Sequence, residues 1–168
     1  MSSSTDTATI SVDTFKEALL TILDEAFDNV HGAFLDPGDS LFPTLERVTA
    51  EQASIPVCGD GNSIASQVNH VIFYFDVGFQ YMRGENPGKQ DWSKAWELVR
   101  VTDDEWDGLK QALRERQKTL LQIINETPAE AFRGNDDIVG GGMAMIAHTA
   151  LHLGQIRHAL CMIAPITD

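Results

Sequence analysis

The sequence predicts an all-α protein that folds as a four-helix bundle, and three observations support this prediction. Four long segments repeat apolar residues every three or four positions, which is the period of an amphipathic helix. No segment alternates apolar and polar residues over a useful length, as a half-buried strand would. Two of the links between the four segments are long, as in helical bundles with crossover connections. The 168 residues suit one domain, so we predict a domain over residues 11–168 after a disordered tail over residues 1–10.

The charge of the chain excludes two classes of binding protein. Its 25 Asp and Glu residues outnumber 12 Lys and Arg residues, which gives a net charge of −13 at pH 7. This excess disfavours nucleic acid and anionic membranes as partners, because both are bound by clustered basic residues. No apolar run reaches the roughly 18 residues of a membrane span, and the first residues lack the features of a signal peptide. We expect a cytoplasmic protein whose Cys58 and Cys161 are reduced, since they follow no metal or redox spacing.

The first helix is predicted from about Asp13 to Phe34, with Ser11 as its N-cap. Its apolar stripe contains Phe15, Leu19, Ile22, Ala26 and Val30. A Pro-Gly pair at residues 37–38 ends it. The long link over residues 36–62 is expected to contain a short helical turn near residues 45–51. Links of this length usually shape a site or an interface.

The second helix is predicted to begin near Ser63 and to end near Gly84. It is apolar almost all the way round, so it should be buried inside the bundle or between the bundle and a partner subunit. The apolar residues are Val68, Val71, Ile72, Phe73, Tyr74, Phe75, Val77 and Phe79. The connection that follows, over residues 85–101, contains Trp92 and Trp96.

The third and fourth helices have recognisable ends. Thr102, followed by Asp-Asp-Glu, matches a capping box at the start of the third helix, which stops before Pro128. The fourth helix is predicted from about Met143 to Met162, with Pro165 as its terminator. The glycine triplet at residues 140–142 is interpreted as a flexible segment before this helix.

Two histidines lie on one face of the fourth helix. His148 and His152 are four residues apart, so their rings lie one turn apart on the same side. Imidazole pairs at this spacing are well placed to bind one zinc ion. They interrupt an apolar seam that should face a neighbouring helix, and they therefore point inward. The seam consists of Met145, His148, His152, Ile156, Ala159 and Ile163.

A third histidine lies on a matching stripe of the second helix. Polar groups on a helix that is buried all round need partners inside the protein. The simplest solution is that the two stripes face each other, which brings His70 beside His148 and His152 and suits Zn, Ni or Fe(II). His31 and His158 have no such support, and the alternative for any inward histidine is an ordinary core residue without metal. The stripe consists of Ser63, Gln67, His70, Tyr74, Val77 and Tyr81.

The sequence shows no obvious general base beside this cluster. The segment between His148 and His152 lacks the Glu of a zinc-protease helix, and no carboxylate falls on either inward stripe. The nearest polar candidates are Gln67, Tyr74 and Gln155. They either orient the metal ligands and a water molecule or make ordinary hydrogen bonds between helices.

The order and spacing of these motifs resemble the DinB/YfiT-like family over about residues 12–163. The resemblance implies a four-helix bundle with up-down-down-up connectivity, often a homodimer, and a divalent metal held by His70, His148 and His152. Family members include thiol-dependent S-transferases and proteins proposed to be metal-dependent hydrolases. The matching motifs are Gly61-Asn62-Ser63-Ile64, Asn69-His70, Arg83-Gly84, Thr102-Asp103-Asp104-Glu105-Trp106 and the stretch from Ala147 to Ile156.

These observations lead to one principal functional hypothesis and two alternatives. We expect a metal-dependent hydrolase or thiol S-transferase that acts on a small-molecule substrate or thiol. The alternatives are a non-catalytic bundle that binds a metal or small ligand, and an interaction module whose histidines pack without metal. We also expect a homodimer, because the apolar second and third helices and nearby Trp92 and Trp96 suggest a hydrophobic interface.

Overall fold

A computed structural model of the protein describes residues 9–57, 61–132 and 136–163. Within these ranges all regular secondary structure is helical and no strand occurs, which confirms the predicted all-α class. Two single-turn 3-10 helices, Trp92–Trp96 and Ala129–Phe132, join the longer elements. The α-helices are α1 (Val12–Phe27), α2 (Leu41–Leu45), α3 (Ala50–Ala53), α4 (Ile64–Met82), α5 (Asp103–Glu126) and α6 (Asp136–Ile163).

Some of the sequence-based expectations fall outside the described residues. They concern residues 1–8 of the predicted tail, Cys58 and the predicted terminator Pro165. In the part of the chain that is described, no helix is both long enough and apolar enough to traverse a lipid bilayer.

The four long helices pack around one core. α4 lies against both α5 and α6, and α1 lies against the same two helices. Phe75 on α4 makes an edge-to-face contact with Phe27 on α1, with ring centroids 6.1 Å apart. The burial of α4 on several sides agrees with its apolar sequence. α4 and α6 are neighbours, and the stripe of α4 that contains His70 faces the stripe of α6 that contains His148 and His152.

The predicted ends of α4 and α5 are confirmed. The Ser63 hydroxyl accepts a hydrogen bond from the backbone N–H of Ser66, in a capping box that begins α4. Gly84 follows the helix with a φ of +74°, a conformation that glycine adopts readily. Thr102 and Glu105 form the capping box that begins α5.

The first helix is shorter than predicted, although Ser11 caps it as expected. α1 ends at Phe27, not at Phe34. The carboxylate of Glu25 accepts hydrogen bonds from four backbone N–H groups between residues 31 and 35, at 2.6 to 2.9 Å. In a continued helix these N–H groups would bond to backbone carbonyls instead. Gly32, with a φ of +81°, lies within this turn and allows the chain to leave the helical direction.

The fourth long helix starts earlier than predicted. α6 begins at Asp136, so the glycines at residues 140–142 lie inside the helix and are not a flexible segment before it. Gly142 is buried, and a Cβ atom added there would lie 3.1 Å from Cδ2 of Leu19. The absence of a side chain therefore allows α6 to approach α1 closely. The interpretation of these glycines as a flexible segment was wrong because close packing of α6 on α1 outweighs the low helix propensity of glycine.

The long link between α1 and α4 is anchored to the bundle. It contains two short helices, α2 and α3, in place of the single helical turn predicted near residues 45–51, and the non-helical residues 46–49 connect them. The indole N–H of Trp106 on α5 donates to the carbonyl oxygen of Val48 at 2.8 Å. Near the end of the link, the N–H of Val57 donates to the carbonyl oxygen of Asn62 at 3.0 Å. This contact holds both residues beside the start of α4.

Candidate metal centre

Three histidines from α4 and α6 lie together between these two helices. The ring centroid of His70 lies 5.1 Å from that of His148 and 4.8 Å from that of His152. The centroids of His148 and His152 are 4.4 Å apart. Each ring offers one nitrogen, and these three atoms lie within 4.8 Å of one another. Such a group could hold a metal ion.

The cluster is largely withdrawn from solvent. His70 and His152 are buried, at 8% and 4% exposure, and His148 is half-buried. Nδ1 of His70 and Nε2 of His148 make no hydrogen bond within the part of the chain that the structure describes. Buried nitrogens without a partner cost free energy unless something binds to them. The donor set therefore fits a divalent ion that accepts imidazole ligands.

Burial keeps these imidazoles in the neutral form that binds metals. The pKa of His148 falls from 6.5 to about 4, mainly through burial and then through the charge that His70 would carry when protonated. The pKa of His152 falls to about 3, again through burial and then through the two neighbouring histidines. Burial also lowers the pKa of His70. Near neutral pH each of the three rings therefore keeps one N–H and presents a lone pair on its other nitrogen.

Aromatic side chains cover two of the three rings. Trp96 stacks on His70, with centroids 4.1 Å apart and planes inclined by 20°. Tyr74 stacks on His148, at 3.7 Å and 13°. The amide of Asn69 donates to the carbonyl oxygen of Ala95 at 2.8 Å, which ties the 3-10 helix of Trp96 to α4. Both stacked contacts restrict the orientation of a candidate ligand.

The three polar candidates named from the sequence all lie at the cluster. Nδ1–H of His152 donates to Oε1 of Gln67 across the α4–α6 interface. The side chain of Gln155 hydrogen-bonds to His152, and this contact raises the pKa of His152 against the larger lowering by burial. Tyr74 is partly buried, and this burial raises the pKa of its hydroxyl above 10. The phenol is therefore uncharged at neutral pH.

A cavity of about 600 Å³ opens beside the histidines. A volume of this size is typical of sites for small molecules. The three clustered histidines, two buried and one half-buried, line its inner part, and exposed residues of α6 line its mouth. The lining residues are Val57, Asn62, Gln67, His70, Trp96, His148, Leu151, His152, Gln155, His158, Ala159 and Met162.

The remaining histidines and the described cysteine lie outside the cluster. Nε2 of His31 lies 2.6 Å from Oδ2 of Asp24, in the turn after α1. His158 is exposed at the mouth of the cavity and is not one of the grouped rings. Cys161 is exposed near the end of α6. These positions agree with the expectation that His31 and His158 are not metal ligands.

The contribution of Trp96 to this site was not predicted from the sequence. Trp92 and Trp96 were expected near a subunit interface, whereas Trp96 lines the cavity and covers His70. The two tryptophans lie in a five-residue 3-10 helix, which is too short for a readable apolar period. A sequence signal did exist in the unusual density of Trp in a polar connection.

Comparison with known proteins identifies the family. Neither the curated proteins nor the solved structures give a significant match to the chain. The sequence profile of the DinB superfamily matches residues 37–156, which include α4, α5 and all three clustered histidines. Because this match covers most of the chain and agrees with the all-helical fold, the protein belongs to the DinB superfamily.

Proposed function

We propose that His70, His148 and His152 bind one divalent metal ion, Zn, Ni or Fe, and that the adjoining cavity presents a small molecule to it. The reaction is that of a metal-dependent hydrolase or a thiol S-transferase. One observation carries this proposal: three neutral imidazoles, two of them with unpartnered buried nitrogens, line an open cavity of about 600 Å³. Membership of the DinB superfamily supports metal binding.

The residues around the ion have separate tasks in this proposal. A divalent ion would polarise a bound carbonyl group or lower the pKa of a bound water or thiol. Gln67 holds the proton of His152 on Nδ1, which directs Nε2 of that ring away from Gln67. Trp96 and Tyr74 keep His70 and His148 in place through their stacked contacts.

Metal loading followed by an activity screen tests the proposal. The protein is incubated with Zn, Ni or Fe(II), freed of excess ion and assayed for metal content. It is then tested with simple esters and amides, and with bacterial low-molecular-weight thiols and an electrophilic acceptor. We expect one equivalent of metal, its loss in His148→Ala, and turnover only in the loaded wild-type protein.

A matched variant controls for general effects of removing a histidine. His31→Ala removes an exposed histidine outside the cluster, so it should leave the metal content unchanged. Equal metal loss in His31→Ala and His148→Ala would contradict ligation by the cluster. If the protein binds no metal at saturating concentrations, the proposal fails and the alternative of an interaction module without metal is supported.

A non-catalytic metal- or ligand-binding bundle is the second candidate. It is favoured by the cavity lining, because no Asp or Glu occurs among the lining residues that the structure describes. General base catalysis commonly uses such a group. Stoichiometric metal binding without turnover of any ester, amide or thiol acceptor would support this candidate over the enzyme.

The arrangement of the helices and the assembly form part of the proposal. We propose up-down-down-up connectivity for α1, α4, α5 and α6, a homodimer and a cytoplasmic location. An apolar groove between α1 and α6 supports self-association, and the exposed side chain of Met143 lies within it. Sedimentation at micromolar concentration should give the mass of two chains, and a monomer would contradict the dimer.

A further inference from the structure

We infer that the cavity beside the histidines selects molecules whose body is neutral and mainly apolar, and that it disfavours a carboxylate at the end remote from the metal. This inference rests on the proposed function and names the substrate class of the same site. It excludes carboxylate-bearing peptide thiols as the preferred substrates.

The lining of the cavity carries few charges. None of the lining residues that the structure describes is Asp, Glu, Lys or Arg. Arg157 precedes the lining residue His158 by one position, yet it lines a different groove and pairs with Asp39. The polar lining groups apart from the histidines are three amides. The apolar lining residues are Val57, Trp96, Leu151, Ala159 and Met162.

The mouth of the cavity presents large apolar side chains to solvent. Leu151 is 58% exposed and Met162 is 65% exposed, and both lie on α6. Exposed apolar residues that border a cavity commonly contact an apolar ligand. Gln155 lies at the same mouth and offers an amide to a neutral polar group of that ligand. A molecule with an apolar body and one hydrogen-bonding group therefore matches the surface.

A remote carboxylate meets unfavourable surroundings in this cavity. It loses part of its hydration there, and no lysine or arginine of the described lining compensates for the loss. The net charge of −13 adds a repulsive long-range field. A methyl group at the same place loses no comparable hydration and gains contact with Leu151 and Met162.

A matched pair of probes isolates the effect of the remote group. 4-Methylbenzohydroxamate and 4-carboxybenzohydroxamate share the ring and the metal-binding head, and they differ only at the far end. Any attraction between the head and the metal is common to both probes, so their affinity ratio reports the lining. Both are titrated into zinc-loaded and metal-free full-length protein, with the indole N–H signal of Trp96 followed by NMR.

The neutral methyl probe should bind more tightly than the carboxylate probe to both forms of the protein. We expect the dissociation constant of the methyl probe to be at least about tenfold lower, because the carboxylate lies without a partner in a partly enclosed site. Leu151→Lys puts a cation at the mouth and should reduce or reverse the preference. Leu151→Gln, a neutral change at the same exposed position, should preserve it.

The outcomes separate this inference from the proposed function. If the protein binds zinc but binds the two probes equally, or binds the carboxylate probe more tightly, the inference is overturned and the proposed metal site is not. A tenfold ratio on metal-free protein, in a chain that never binds zinc, would support the inference and overturn the metal site. Failure of both probes to shift the Trp96 signal in either form would overturn the inference.

Discussion

Oε1 of Gln67 on α4 accepts a hydrogen bond from Nδ1–H of His152 on α6. An amide oxygen can only accept, so the proton of the neutral ring lies on Nδ1 and the lone pair lies on Nε2. Hydrogen bonds of this kind fix the tautomer and direction of histidine ligands. The packing of α4 on α6 is thereby connected to the proposed affinity for metal.

Replacement of Gln67 by Leu should weaken zinc binding. The Gln67→Leu variant lacks the acceptor that fixes the His152 tautomer, and we expect a loss of about 10- to 100-fold in affinity. Competition with a chromogenic chelator measures it. Gln80→Leu is the control, because the Gln80 side chain donates to the carbonyl oxygen of Asp76 in its own helix. Equal affinities in wild type and Gln67→Leu would show that this contact does not orient a ligand.

The stacked contact of Trp96 with His70 should contribute to metal affinity in a measurable way. Trp96→Leu removes a parallel ring at 4.1 Å. Aromatic contacts are worth about 0.5–1.5 kcal/mol beyond buried area, which corresponds to roughly two- to tenfold weaker zinc binding. Calorimetric titration measures this change.

Trp92 provides a matched control for the same substitution. Its ring is 6.1 Å from that of His70 and inclined by 51°, and its side chain is 40% exposed. Trp92→Leu should therefore change zinc affinity less than Trp96→Leu does. The reverse order would contradict the role assigned to Trp96.

Acid should destabilise the metal-free protein in a defined pH range. Burial lowers the pKa of His148 to about 4 and that of His152 to about 3, from an unfolded value of 6.5. Between these values the unfolded chain binds more protons than the folded chain, so the free energy of unfolding falls as pH decreases. Urea denaturation at several pH values should show the decline beginning near pH 6.5.

Variants identify the histidines responsible for this decline. His148→Gln should flatten the dependence of stability on pH between about 6.5 and 4. His158→Gln, at an exposed position, should leave the dependence as it is in the wild type. An identical profile in His148→Gln would show that burial of this ring does not control the acid response.

The Glu25 carboxylate should stabilise the turn after α1. Burial raises its pKa, but hydrogen bonds from backbone N–H groups lower it more strongly, to about 2. Its stabilising effect is therefore complete above pH 4.5 and is lost as pH falls toward 2. Glu25→Gln should lower the urea midpoint at pH 7, because an amide NH₂ faces backbone donors. Glu17→Gln, at an exposed position on α1, should have little effect.

The sequence predicted the four long helices because each has a local signal. Ser63 and Thr102 are caps whose hydrogen bonds form within a few residues, and the apolar periods are local as well. The predicted end of α1 was wrong because the helix end depends on the Glu25 carboxylate. Its hydrogen-bond donors lie six to ten residues further along the chain, in a turn. The predicted start of α6 was wrong because the reason for a glycine at residue 142 is its close packing against Leu19, which lies on another helix. Tertiary contacts of this kind leave no periodic pattern.

The candidate site was predictable to a similar extent. The stripes of α4 and α6 placed His70 opposite His148 and His152, since one period governs both helices. The link residues Val57 and Asn62 and the stacked Trp96 could not be placed, because they lie outside the long helices. The charge-poor lining of the cavity arises only when these separate segments meet.

The X-ray absorption spectrum of the zinc-loaded protein tests the central claim most directly. We predict about three nitrogen ligands at roughly 2.0–2.1 Å, with the outer-shell scattering of imidazole and no sulfur ligand near 2.3 Å. The imidazole contribution should fall in His70→Ala, the ligand contributed by α4. A spectrum with sulfur or only oxygen ligands, or one that is unchanged in His70→Ala, would contradict a metal centre built from His70, His148 and His152.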